Sequence, residues 1–214
     1  MIISHNCKAY KKIWSELGPA RFNGAYYYSQ EIVQNIIPFV KTSRNWLTID
    51  WPGKKPIDHA IAFVHNNINL HWYEDWKGKD VVLVCGLPET AKNVSKFASS
   101  IFVPLSVDVR YVQQFTTSKI KDVCYAGRPD KKTEVVPDDI PHLEGMPRER
   151  MLREMAKYHQ VYAVGRTAIE AKILGCEILP YDPRFPDPSI WQVLDNREAA
   201  KILDKKLKEV ECGG

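Results

Sequence analysis

The run Val81-Val82-Leu83-Val84-Cys85, inside "KDVVLVCG", places apolar side chains in unbroken succession. A strand with one face in water alternates apolar and polar residues, so an unbroken run fits a strand covered on both faces, as in a parallel sheet flanked by helices. Around it, helical and strand patterns alternate from end to end, which argues for an α/β protein with mainly parallel sheet. "YYYSQEIVQNIIP" repeats Ile32 and Val33 with Ile36 and Ile37 at helical spacing and is expected to close at Pro38. "NWLTID" and "HAIAFVHNN" read as strands ahead of the apolar run, and "SSIFVPLSVD" as a strand after it, ended at Pro104 or soon after.

The polar stretch "VRYVQQFTTSKIK" interrupts this pattern and marks a boundary near residues 108 to 119. The expected organisation is an N-terminal αβ domain, 1–112, and a C-terminal αβ domain, 113–214, two small Rossmann-like αβα halves facing a cleft. Ligands of such folds lie beyond the carboxyl ends of the strands. The second half starts with a strand at "KDVCYAG" and a loop from Pro129 to Pro147. A helix at "RERMLREMAKYH" follows, with Met151, Leu152 and Met155 on one face. Then "VYAVGRTAIEAKILGCEILPYD" reads as strand, helix, strand, the helix carrying Ala168, Ile169, Ala171 and Leu174 at helical spacing. The last helix is expected from "DNRE", with Asp195 as cap, Glu198 completing a capping box, and Ala199, Ile202, Leu203 and Val210 as its buried stripe.

The formal charge of +4 over 214 residues is mildly basic and favours anionic ligands without demanding nucleic acid. Cys7, Cys85, Cys124, Cys176 and Cys212 are widely spaced and read as reduced thiols, three of them in apolar strand-like runs. The opening "MIISHNCKAYKK" lacks the regions of a signal peptide, and no apolar run reaches membrane-spanning length, so a cytoplasmic setting without a membrane span is expected. His5, His59, His65, His71, His142 and His159 do not form a metal-binding motif, and there is no P-loop, G-x-S-x-G elbow or complete G-x-G-x-x-G. Those absences count against ATPase, hydrolase and dehydrogenase classes.

Two segments carry candidate chemistry. In "YAGRPDKK", Gly127 follows a strand and would let a ligand approach the backbone, while Arg128, Lys131 and Lys132 are suited to a phosphate or diphosphate; a solvated basic turn is the competing reading. In the second segment, Glu170 lies in the first turns of an otherwise apolar helix. A carboxylate there can accept hydrogen bonds from a ribose diol, with the backbone N–H groups of Gly165, Arg166 and Thr167 open to phosphate; alternatively it complements the helix dipole at a solvated end. Tyr26, Tyr27 and Tyr28, together with Trp72, Tyr73 and Trp76, are suited either to stacking on a sugar or a base or to packing between helix and sheet.

The order "VPLSVDVRYVQQF", then a strand ending in "GR" with lysine close behind, then "VGRTAIEAKILGCEILPYD" resembles the second half of the retaining glycosyltransferases of the GT-B fold. The resemblance is strongest over residues 103–182. It implies a GT-B-like fold and a metal-independent transferase that moves a sugar from a nucleotide-diphosphate sugar, a UDP-sugar above all, to a hydroxyl acceptor. The acceptor would be a carbohydrate or a hydroxymethylated base in DNA. Carried over position by position, Arg128 with Lys131 or Lys132 would hold the donor diphosphate, Glu170 the ribose, and Gly165 and Arg166 the donor sugar or phosphate. Asp108 and Phe115 match structural linker positions. In the first half, Gly24 resembles the family's glycine loop, and His65 a strand-end histidine that contacts the sugar or takes part in catalysis; a turn with an internally bonded imidazole is the other reading of His65. Tyr162 stands where many members have a glutamate, and the chain is shorter than the usual two-domain enzyme. These departures motivate an alternative, a non-catalytic GT-B-like protein that sequesters a nucleotide.

Overall fold

The structure, a computed structural model, describes residues 2–3, 27–28, 31–47, 58–64, 70–127 and 132–212. The chain is α/β, with two parallel sheets in two compact units. Among the described residues, the first unit holds those up to Pro104 together with Asn196 onward, and the second holds Leu105–Asp195. This differs from a division at residues 112 and 113: the boundary falls between Pro104 and Leu105, and the last helix belongs with the first unit.

The first sheet has the order β1-β2-β3-β4-β5, with β1 at Ile2–Ile3, β2 at Asn45–Leu47, β3 at Ala60–Val64, β4 at Val81–Cys85 and β5 at Ser99–Phe102. β3 and β4 pair in register from Ala60↔Val81 to Val64↔Cys85, and every residue of both is buried. On one face, Ala60, Ala62, Val64, Val81, Leu83 and Cys85 pack against the 3-10 segment Leu70–Trp76, helix α1 (Pro88–Val94) and Phe97. Tyr73 and Trp76 are part of this core, with Tyr73 in ring contact with both Trp76 and Phe97 at 6.1 Å. These two aromatics are therefore packing residues and are not available to stack on a base.

Alternation sends Trp46, Ile61, Phe63, Val82 and Val84 to the opposite face, where they are also buried. There Tyr28 meets Phe63 edge-on. The helix read at "YYYSQEIVQNIIP" is a π-type turn at Ile32–Ile36 running into a 3-10 turn at Ile37–Phe39, so Pro38 lies inside the second turn rather than closing the first. The segment packs against α5 (Asn196–Cys212), and Asn196 donates to the buried Glu31 carboxylate at 2.9 Å. The buried stripe of α5 is Ala199, Ala200, Leu203 and Leu207, with Ile202 and Val210 only partly covered. Asp195 accepts from the Val109 N–H at 3.3 Å, and Glu198 pairs with Lys201.

The second unit has the order β6-β7-β8, with β6 at Lys121–Tyr125, β7 at Tyr158–Tyr162 and β8 at Glu177–Leu179, all parallel. Helix α2 (Val109–Gln113) is capped by Asp108, whose carboxylate accepts from the Tyr111 N–H. Helix α3 (Arg148–Met155) ends earlier than its sequence pattern suggests, because Tyr158 is buried and pairs with Lys121 as the start of β7. Helix α4 (Arg166–Ile173) crosses from β7 to β8. The Lys119 amine donates to the carbonyls of Ala156 and Leu174, which end α3 and α4, at 2.9 and 2.7 Å, and lies 3.1 Å from the Cys176 sulfur. One cation thus satisfies the negative ends of both helices that flank β7.

Cys85, Cys124 and Cys176 are free and buried, Cys212 is free and exposed, and Cys7 lies outside the described residues. Burial pushes the Cys85 and Cys124 thiols up to about 12 and also raises Cys176. A raised folded-state value favours the protonated thiol, so this contribution to stability is complete below the unfolded value near ~8.5 and is lost as pH climbs toward the folded value. The urea midpoint is expected to fall as pH rises from about 8.5 toward about 12, and a Cys85→Ala, Cys124→Ala pair should flatten that fall. Equal slopes in the two proteins would contradict the assignment.

Candidate functional site

Ligands of parallel α/β sheets gather at the carboxyl ends of the strands, which in the second unit are the ends of β6, β7 and β8. Three tyrosines stand there: Tyr125 ends β6, Tyr162 ends β7 and Tyr181 follows β8. Tyr125 is fully buried and meets Tyr181 edge-on at 5.2 Å and His142 at 5.4 Å. With Val136, Ile140, Tyr162 and Val164 they form one apolar cluster. Burial raises the Tyr181 phenol, and a hydrogen bond with Tyr125 offsets part of that rise.

Residues 133 to 143 are tied to these strand ends by Thr133 donating to the Tyr181 carbonyl at 2.8 Å, Tyr125 N–H to Pro141 at 2.9 Å and Leu143 N–H to Tyr125 at 2.8 Å. Gly127 has a packing reason for lacking a side chain. A Cβ there would run into the Tyr125 ring, 2.5 Å from Cζ. Lys132 is engaged in an ion pair with the exposed Asp138 carboxylate, which that hydrogen bond holds below its ordinary range. Gly24, His65, Arg128 and Lys131 lie outside the described residues.

β7 is the central strand, and its exit leads through Ala163 and Val164 to Gly165. Gly165 has φ 64° and ψ −140°, a conformation essentially restricted to glycine, and among the described residues a Cβ added there would meet nothing within 4 Å. It is the N-cap of α4, and no side chain caps the helix. The first N–H groups of α4, from Arg166 and Thr167, have no acceptor within the helix. The Arg166 side chain turns away along the unit and donates through Nε to the Ser106 carbonyl at 3.1 Å.

Glu170, in the second turn of α4, is 4% exposed, which excludes a solvated dipole partner. Its Oε1 accepts from Arg148 Nη2 at 2.6 Å and Nε at 3.1 Å. Arg148 opens α3, and its guanidinium lies 5.4 Å from the centre of the Tyr111 ring. The chain Tyr111–Arg148–Glu170 links α2, α3 and α4 and was not legible in the motif itself, since arginine and glutamate are 22 positions apart. Both N–H groups fall on one carboxylate oxygen, so Oε2 retains acceptor capacity.

Among the described residues, no cluster of three or more His, Cys, Asp or Glu is arranged to hold a metal ion, and no helix is long and apolar enough to cross a membrane. No protein-family model, curated protein or solved structure matches the chain.

The buried Arg148–Glu170 pair predicts a specific pattern of stability. Arg148→Met should destabilise by roughly 3–5 kcal/mol, because it strands a buried carboxylate, whereas adding Glu170→Met should recover most of the loss. Urea unfolding of the two variants checks this, and a double variant as unstable as the single would refute the pairing.

Proposed function

We propose that the chain is a nucleotide-sugar-dependent glycosyltransferase of GT-B type. Its second unit would hold the donor diphosphate at the junction of β7 and α4, and a hydroxyl acceptor would receive the sugar. The observation that carries this reading is Gly165: it closes the connection from the central strand, adopts a glycine-only conformation, and, among the described residues, has open space in place of a side chain and starts a helix that no side chain caps. Backbone N–H groups in such a position receive phosphate oxygens. Arg166 and Thr167 supply them, and Glu170, one turn further on, offers Oε2 to a ribose hydroxyl while Arg148 fixes Oε1.

Charge that develops on the departing diphosphate is offset by these fixed dipoles and by cations of the Gly127–Lys132 turn, without a metal. A lysine in this role would exchange its carboxylate partner, Asp138 in the case of Lys132, for the phosphate. The order of motifs supports the transfer chemistry, retention at the anomeric carbon and a UDP-sugar donor. A carbohydrate or a hydroxymethylated DNA base is the acceptor class this reading allows.

A second reading, a non-catalytic protein that sequesters a nucleotide, is favoured by one observation: the tyrosine cluster and residues 133 to 143 pack over the strand ends, with Tyr162 where a family glutamate would stand. Thermal stabilisation by UDP, ADP and GDP and their sugars, followed by an assay for released diphosphate, separates the two. The expected result is stabilisation by one nucleoside diphosphate, about 2.7 kcal/mol at a hundred times Kd, with slow consumption of its sugar. Gly165→Ala should abolish that stabilisation. Binding without turnover across an acceptor panel would select the sequestering protein, and no binding by any member of the panel would overturn both readings.

A further inference from the structure

Three polar residues stand in a row on the amino-terminal edge of the first unit's sheet, the edge opposite the strand ends at which ligands of parallel sheets collect. Ser43 precedes β2, His59 immediately precedes β3 and Asp80 immediately precedes β4. The parallel register Asn45↔Ala60 and Ala60↔Val81 sets these strand starts side by side. Asn45 N–H to the His59 carbonyl at 2.9 Å and Ala60 N–H to the Asp80 carbonyl at 3.1 Å hold the row in place.

The side chains are connected in a specific order. His59 Nδ1 is 2.9 Å from Asp80 Oδ2, and His59 Nε2 is 3.2 Å from Ser43 Oγ. An ionised carboxylate at Nδ1 favours the proton on that nitrogen, and in the neutral imidazole this leaves the Nε2 lone pair facing the serine hydroxyl. The Asp80 carboxyl is held below its ordinary value by the hydrogen bond from His59 and then by that from Arg44. Arg44 Nη1 donates to Asp80 Oδ1 at 2.6 Å and to the Asp80 carbonyl at 3.3 Å, so the orienting carboxylate is itself oriented. His59 has φ 54°, the only positive φ at a non-glycine residue among those described. Such strained backbone persists where its surroundings over-determine it, and it concentrates at functional sites. His59 and Asp80 are 52% and 56% exposed at their side chains, and Ser43 is exposed, so a solute reaches all three from solvent.

We propose that Ser43, His59 and Asp80 form an acyl-transfer centre that hydrolyses small activated esters, an activity separate from nucleotide binding in the second unit. Nucleophile, base and orienting carboxylate stand in the relation that acyl transfer requires. Ser43 Oγ adds to the ester carbonyl carbon as its proton passes to His59 Nε2. The carbon–oxygen bond to the leaving group then breaks, and the departing alcohol takes that proton. Water attacks the acyl-serine as His59 removes its proton; the acid departs and Ser43 regains its hydrogen. The sum is ester plus water to acid plus alcohol, with no other reactant. Asp80 is a positioning residue and Arg44 positions Asp80 in turn. Among the described residues nothing walls in this edge, which suits a small aryl ester rather than an extended acyl chain.

The test treats the full chain with a fluorophosphonate probe and with p-nitrophenyl acetate, and maps the adduct by peptide mass spectrometry. The expected result is a covalent adduct on Ser43 and ester hydrolysis, both absent in Ser43→Ala. His59→Gly accepts the left-handed backbone without strain; it should slow labelling by about 100-fold or more, with added imidazole restoring part of the rate. Asp80→Asn should slow labelling while the Ser43 adduct remains the product. No adduct on Ser43, an adduct formed equally fast in His59→Gly, or a loss that imidazole does not restore would overturn the proposal and return the row to a hydrogen-bond network between strand starts.

Discussion

The first unit depends on β3 and β4 being buried on both faces. Ten apolar positions in two adjacent parallel strands require a layer of side chains above and another below, because each face left in water would forfeit about 25 cal/mol for every Å² of apolar surface it exposes. One layer comes from the crossovers between β3, β4 and β5, with Tyr73, Trp76, Val94 and Phe97. On the other face Tyr28 meets Phe63; in the same unit two stretches far apart in sequence, the turn around Ile32 and Ile36 and the helix α5, pack on each other and are joined by Asn196 and the buried Glu31. That hydrogen bond lets a carboxylate sit inside an apolar layer.

The second unit meets the same requirement with a smaller sheet and more polar means. Lys119 holds the carbonyl ends of α3 and α4 from one side, and Arg148 with Glu170 ties the starts of the same pair of helices to Tyr111. Both clamps grip α4, one at its carboxyl end through the Leu174 carbonyl and one in its second turn through Glu170, and these charge-assisted bonds fix the helix that Gly165 starts. Any ligand of that junction meets a rigid frame.

Much of this was legible in the sequence. The five-residue apolar run gave away β4, and the alternation of patterns gave away a parallel α/β chain, because burial on two faces leaves a mark on every residue of a strand. Gly165 and the helix after it were legible for a similar reason, the switch from apolar strand to helical period. Less visible were pairings that cost a single residue each. Nothing in "RERMLREM" identifies Arg148 as the partner of Glu170, and nothing in "KTSRNW" marks Ser43 as the neighbour of a histidine and an aspartate on two other strands. At Gly127 the lack of a side chain also accommodates Tyr125, a neighbour two residues away that the motif did not point to. The partner of α5 was hidden too, since an amphipathic stripe records that a helix is buried and not what it is buried against.

Among the described residues the chain enters the second unit at Leu105 and leaves it at Asp195, and these two passages touch: Val107 bridges to Asp195, Val107 N–H donates to the Leu194 carbonyl at 3.1 Å, and Val109 N–H to the Asp195 carboxylate. Among the described residues the second unit is an insertion into the first, with its two ends stapled together. Synthesis therefore runs in a nested order. The first unit begins to form before the second and finishes after it, its turn at Ile32–Ile36 without its helical partner until α5 has left the ribosome, while the inserted unit can close in the meantime on contacts of its own.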